Sequence, residues 1–349
     1  STDLNVHFKL MNDIDVSTAA LDTPTNRPIP GVFTGVLDGQ DYEISELSMH
    51  SSTDLGLFFR LKDSTIRNLV ISGNFTTSSS VGALANRAEG SLTISSVTNR
   101  ANVVGGTRVG GLIGLVSEGV TITGSKNLGT VKGFDSVGGL LGRVFGSTSI
   151  TSSYNTGLIT KAGSTVGERF GGLVGYAGPI TIKTSYNTGD VLATDENAED
   201  DRSTGGLVGY ASGFSAESSF NSGDITGERH VGGIVGQVEG GLPSLDKTYN
   251  VGEIKATLSV FVAGLVGNNS GSISFISESY NASPISGDIA DGIHLSAFVP
   301  SGGVYSRSNA ANAEVSTSEE LRLAETFEGW DFDTVWGFGS TVENDGFPM

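Results

Sequence analysis

No cysteine occurs in the 349 residues, so neither a disulfide nor a thiolate metal site can brace this chain. That suits a cytosolic protein or a bacterial extracellular one. Histidine is nearly as scarce. His7, His50, His230 and His294 fall in separate regions, and none makes the H-x-x-x-H pair of a helical zinc site. No apolar run approaches the ~20 residues of a membrane span. There is no G-x-S-x-G elbow and no glycine-rich stretch ending in Gly-Lys-Ser/Thr, which removes two common routes to acyl and phosphoryl transfer. Charge is sparse, at 17% of residues, and lopsided: 38 acidic against 20 basic residues leave a formal net charge of −18. Such a surface repels nucleic acid and anionic membranes and attracts divalent cations. No secretory leader opens the chain at Ser1, so the sequence reads as a processed protein or a piece of a larger one.

What the chain has in excess is glycine, 51 residues, about double the usual share of ~7%. Much of it falls on schedule. VGGLIG at 109–114 recurs as VGGLLG (137–142), FGGLVG (170–175), TGGLVG (204–209), VGGIVG (231–236) and VAGLVG (262–267). From Gly82 through Gly110, Gly138, Gly171, Gly205 and Gly232 to Ala263 the steps are 28, 28, 33, 34, 27 and 31 residues. A second mark runs in phase: Asn99, Asn127, Asn155, Asn187, Asn221, Asn250, Asn281 and Asn309, five of them in Asn-x-Gly. Two marks with matched spacing make the chain a repeat array.

Each unit reads as three short strands: the glycine stretch, a Thr/Ser/Ile segment such as TIKTSYN, and the residues after Asn-x-Gly. β-Branched residues and glycine disfavour helix, and Gly and Asn supply the turns. A unit of this size cannot bury a core alone, but stacked units can. The expected fold is all-β, a right-handed parallel β-helix of about ten to eleven coils. Leu112, Leu140, Leu173, Leu207, Ile234 and Leu265 are expected to form one inward ladder, with glycine where backbones crowd. Strict alternation leaves a difficulty, since it points Val137 and Leu141 outward. Either a bulge breaks the alternation or that face is covered.

The repeated G-G-L/I-V/I/L-G followed by S-x-N-x-G resembles the GLUG-motif repeat family, over roughly residues 81–315. Those repeats occur in bacterial surface proteins, including adhesins and regions beside M26-type immunoglobulin A peptidases. FKLMNDIDVS, FTGVLDGQDYEISEL and GLFFRLKDSTIRNLVISG, within residues 1–80, are similar to the first coils of β-helices that precede such repeats. Residues 316–349 resemble the closing segment of such an array. Independently of the resemblance, residues 316–327 suggest a short helix with a Ser316/Glu319 capping box, and Trp330 and Trp336 a lid over the last coil. The resemblance implies fold and setting, and it carries no catalytic residue.

Three surface features are candidates for chemistry. Tyr154, Tyr186, Tyr249 and Tyr280, with Phe220 between them, precede the repeated Asn and are expected to stack. Packing is the first reading, and a glycan-binding stripe the second. Asp190, Asp224 and Glu253 occupy one place in successive units. They read first as a solvated stripe and second as a weak Ca²⁺ site. Asp195, Glu199, Asp200 and Asp201 lie in an insertion, TDENAEDDRS, with the same two readings. Thr121, Thr123, Thr151 and Thr181 are too irregular to favour an ice-binding face. The expected function is a non-catalytic extracellular module of a bacterial cell-surface protein, an adhesin or a stalk presenting ligand. It requires no cofactor, with Ca²⁺ as the one candidate. Its expected partner is a host or environmental glycan or a surface protein, with no nucleic acid and no membrane insertion. The chain is expected to be a monomer and part of a larger protein. The alternative is a glycoside hydrolase or lyase built on a parallel β-helix.

Overall fold

The computed structural model describes residues 3–17, 29–163, 168–194, 202–240, 243–258, 261–269, 275–277, 279–283, 285–286 and 305–306. These form a right-handed parallel β-solenoid of about eight turns. That is fewer than the ten to eleven coils the spacing predicts. The proposed cap, 316–349, lies outside the described residues. Strands on either side of residue 80 pair in one sheet, Val97 with Leu69 and Val103 with Phe75.

One coil runs from Thr107 to Gly133 and holds five strands, not three: Thr107–Gly110, Ile113–Val116, Val120–Thr123, Lys126–Asn127 and Val131–Gly133. Each pairs with its counterpart one coil on: Val109 with Val137, Ile113 with Leu141, Ile122 with Ile150, Asn127 with Asn155 and Val131 with Ile159. The glycine stretch is therefore two strands with a bend between them. The first strands of successive coils make a separate seven-stranded sheet.

The glycines of VGGLLG have a steric cause. A methyl group on Gly138 would lie 2.3 Å from the carbonyl oxygen of Leu141 and 2.6 Å from the Gly175 nitrogen. One on Gly139 would lie 2.3 Å from the Gly172 carbonyl oxygen and 2.5 Å from the Asn155 side chain. One on Gly142 would lie 2.5 Å from the Val109 nitrogen. First and second strands thus press together backbone to backbone, with no room for a Cβ. This resolves the alternation difficulty in both ways at once. The bend breaks the alternation, and the far face is covered. Val109 and Val137 pack onto the fifth strand at Gly133. In later coils Val231 and Val262 join Ile225 and Ile254 in a second small core. The main core holds the leucine ladder, from Leu112 to Leu265, at most 1% exposed. Burial of each such side chain contributes ~1.5–3 kcal/mol.

The asparagines form a second ladder, inside the turn. From Asn99 to Asn250 each side-chain Nδ2 donates to the Oδ1 one coil on, ending at Asn281, at 2.6–2.8 Å. The same amide group donates to the carbonyl two residues ahead, at 2.7–3.0 Å. The glycine of Asn-x-Gly follows from this closeness, since a methyl on Gly157 would sit 2.0 Å from the Gly129 carbonyl oxygen. Among the described residues, the last asparagine of the ladder is Asn281. Tyr280 and Asn281 register with Tyr305 and Ser306, so the equivalents of the next rung are not Ser308 and Asn309. A serine ladder lies two residues before the asparagines. The Oγ atoms of Ser125, Ser153, Ser185 and Ser219 accept the backbone N–H of the coil before, at 3.1–3.2 Å.

Replacing one rung tests the ladder. Asn187→Leu removes the partner of Asn155, of Asn221 and of the Gly189 carbonyl, all buried. Leaving such groups unpaired costs about 1–3 kcal/mol each. The urea midpoint is expected to fall by an amount equivalent to roughly 3 kcal/mol or more. An unchanged midpoint would remove the ladder from the stability account.

Candidate functional site

The tyrosine stripe stacks as a closed column. Ring centroids from Tyr154 through Tyr186, Phe220 and Tyr249 to Tyr280 are 4.7, 4.9, 5.0 and 4.9 Å apart, with planes within 5° of parallel. The spacing is the coil spacing, so each ring covers the face of the next. Lys126 lies over the free end at Tyr154, 5.8 Å from its centroid. Depth increases along the column: Tyr154 and Tyr186 are half-buried, whereas Tyr249 and Tyr280 are 0% exposed. Burial, with a smaller contribution from the neighbouring tyrosine, raises the pKa of Tyr186 and of Tyr280 above the ordinary phenol value. The glycan-stacking role set out for Tyr154, Tyr186, Tyr249 and Tyr280 does not fit this geometry. The ring faces are already taken, and two of the four rings are out of reach.

The acidic stripe is exposed and internally engaged. Asp190 Oδ1 accepts the Asp224 backbone N–H at 3.0 Å, and Asp224 Oδ1 accepts the Glu253 N–H at 2.9 Å. Each of these two carboxylates thus braces the turn one coil on. Among the described residues, no group of three or more His, Asp or Glu side chains gathers as a cation site. Asp195, Glu199, Asp200 and Asp201 lie outside the described residues. The threonines fall into register but mix their chemistry. Thr121 pairs with Ser149 and then Thr181, while Thr123 pairs with Thr151 and then Lys183.

Two polar groupings were not marked by sequence reasoning. The first is a buried ion network at the entry to the glycine strands. Lys161 Nζ lies 2.7 Å from Glu168, and Arg202 bridges Glu168 and Glu228, all with side chains at most 5% exposed. At such depth the cost of desolvating the charges offsets much of their attraction. Charged residues just ahead of successive glycine motifs were the available signal. The second grouping lies on the outer side of the second strand, where Arg60, Arg87, Leu115, Arg143, Tyr176, Tyr210 and Gln237 stack in register. The Arg143 guanidinium is 4.8 Å from the Phe145 ring centroid and 4.4 Å from that of Tyr176. Tyr176 stacks in turn on Tyr210 at 4.7 Å, and Arg169 lies 5.5 Å from both rings. Arg169 also lies 3.6 Å from Asp135, whose carboxyl acidity is weakened by burial despite that positive charge. Tyr210 donates to Glu239; burial first and this carboxylate second hold its phenol well above the usual range.

No protein-family model matches the chain, and no curated protein matches it. A solved structure described as a "putative immunoglobulin A1 protease from Bacteroides ovatus" is similar to it at 16% identity and a TM-score of 0.45, over 100% of this chain and 86% of that one. At that distance the fold rests on the strand pairing of the chain itself.

Chemically, the arrangement offers contact surfaces. The repeated amides, hydroxyls and carboxylates bond to the next coil, and the tyrosines stack on one another. The grouping around Arg143 and Phe145 is different, because Phe145 is 51% exposed and stands beside a guanidinium.

Proposed function

We propose that the chain is a non-catalytic extracellular module of a bacterial cell-surface protein, of the GLUG-repeat kind, and that it serves in adhesion or as a stalk presenting a ligand-binding surface. The observation that carries this reading is the use made of the polar side chains. The seven asparagines in register, from Asn99 to Asn281, are all bonded within the stack. The serines and two of the three repeated acids are likewise bonded to the coil beside them. Side chains committed to ladders have fixed partners and are not poised for proton transfer, which requires a free acid–base pair with separated acidities. An elongated, ladder-braced rod with a varied outer surface suits spacing and display.

The alternative, a glycoside hydrolase or lyase, needs two converged carboxylates beside a groove. The test is incubation of the protein with a panel of neutral and acidic polysaccharides, followed by assay for reducing ends and unsaturated sugars. No release is expected from any of them. Release from even one would replace the display reading with the enzymatic one. Antibodies to the chain are expected to label intact producing cells; labelling only after lysis would contradict the surface setting.

A further inference from the structure

The chain is acidic overall, yet five of its arginines gather on one side. Arg60, Arg87 and Arg143 share a column on the second strand, and Arg108 and Arg169 belong to the first strands alongside. Close packing brings these two columns together. A methyl on Gly142 would lie 2.6 Å from the carbonyl carbon of Arg108, so Arg143, the next residue, stands beside Arg108. Carboxylates serve the flanking arginines: Glu89 lies 3.4 Å from Arg60 and 3.9 Å from Arg87, and Asp135 lies 3.6 Å from Arg169. Asp135 also accepts from Ser136 Oγ at 3.0 Å and feels the charge of Arg143. Among the described residues, no ion pair or hydrogen bond reaches the guanidinium of Arg108 or of Arg143, and the Nε of each is shielded from solvent without a partner. Two arginines on adjoining backbones, neither with a carboxylate partner, form an incomplete arrangement that an anion would complete. A guanidinium presents its donors in a planar fork that matches a carboxylate or sulfate.

We infer that Arg108 and Arg143, with the exposed ring of Phe145, form a binding site for an acidic polysaccharide, seating the carboxylate or sulfate of one sugar unit between the two guanidiniums. The ring supplies the apolar face on which the C–H side of a pyranose rests. A sugar is favoured over an acidic peptide because lateral strand edges are already paired with the coils above and below, so an extended peptide has no sheet edge to join. The overall negative charge does not prevent binding at physiological salt. Repulsion from charges beyond about 8 Å is largely screened there, whereas the arginine contacts are direct. The inference rests on the display reading and names its ligand class.

The experiment measures binding of the intact chain to hyaluronan (carboxylate only), dextran sulfate (sulfate only), neutral dextran and poly-glutamate, in 0.15 M salt. Saturable binding to at least one acidic polysaccharide is expected, with neutral dextran inert and poly-glutamate at least tenfold weaker. Which of the two acidic polymers binds identifies the anion. Arg108→Gln and Arg143→Gln are each expected to weaken binding at least tenfold, and Phe145→Ala several-fold, with unchanged melting temperature. Phe145 is exposed, so that variant keeps the test alive if an arginine variant fails to fold. Absence of binding to both acidic polymers, equal binding to poly-glutamate, or full affinity in the folded variants would overturn the site. Failure of the display reading has a separate signature, shortening of the polymer by size-exclusion chromatography.

Discussion

Gly172→Ala is expected to unfold the middle of the solenoid, although it adds a single methyl group. That methyl would lie 2.1 Å from the carbonyl oxygen of Gly206 and 2.3 Å from the side-chain carbonyl carbon of Asn187. The first atom belongs to a backbone paired on both sides. The second is locked in the asparagine ladder by bonds to Asn221 and the Gly189 carbonyl. Neither can retreat without breaking its own ladder, so the strain spreads to adjoining coils. Loss of most of a total stability of about 5–15 kcal/mol follows. The control is Gly213→Ala, where the nearest atom is 3.8 Å away in Pro179. There the added methyl is expected to be neutral or to stabilise by up to about 1 kcal/mol through the unfolded state. Similar melting temperatures for the two variants would show that the paired glycines are not a steric requirement.

Leu173→Asp is the second substitution with a very large expected effect. Leu173 is 0% exposed, and its backbone carbonyl accepts from Leu140 and Leu141 at 2.9 and 3.0 Å in the centre of the stack. An aspartate there has no cation to pair with in the leucine ladder, and an unpaired buried charge costs several kcal/mol. The variant is expected to be insoluble or largely unfolded at room temperature by circular dichroism. Leu192→Asp, at a 37% exposed position of the same coil, is expected to fold normally. Native-like melting of Leu173→Asp would mean that the leucines do not line the interior.

The leucine and asparagine ladders were legible in the sequence because each coil repeats the same residue at nearly constant spacing. The two-strand nature of VGGLLG was not. Val137 and Leu141 offer apolar side chains on both faces, so no alternation marks a bend, and the cover for Val109 and Val137 comes from the fifth strand at Gly133. The last rung was misplaced for a related reason. The spacing carried the count to Asn309, whereas the strand pairing reaches Tyr305 and Ser306. The tyrosine column was legible as a stack, but not the increase in depth that buries Tyr249 and Tyr280. The Arg108–Arg143 pair left no mark at all. Its column changes chemistry at nearly every coil, from arginine through leucine and tyrosine to glutamine, and periodicity reveals only what repeats.

The central claim is that the repeated asparagines are internal rungs, not surface groups. Hydrogen–deuterium exchange of their side-chain amides, followed by NMR, tests it most directly. Asn99, Asn127, Asn155, Asn187, Asn221 and Asn250 donate to the next rung and to a carbonyl two residues on, and are buried. Their NH₂ protons are expected to exchange orders of magnitude more slowly than those of Asn102, an exposed asparagine in the same sheet. Exchange of the ladder amides at the rate of Asn102 would contradict the account.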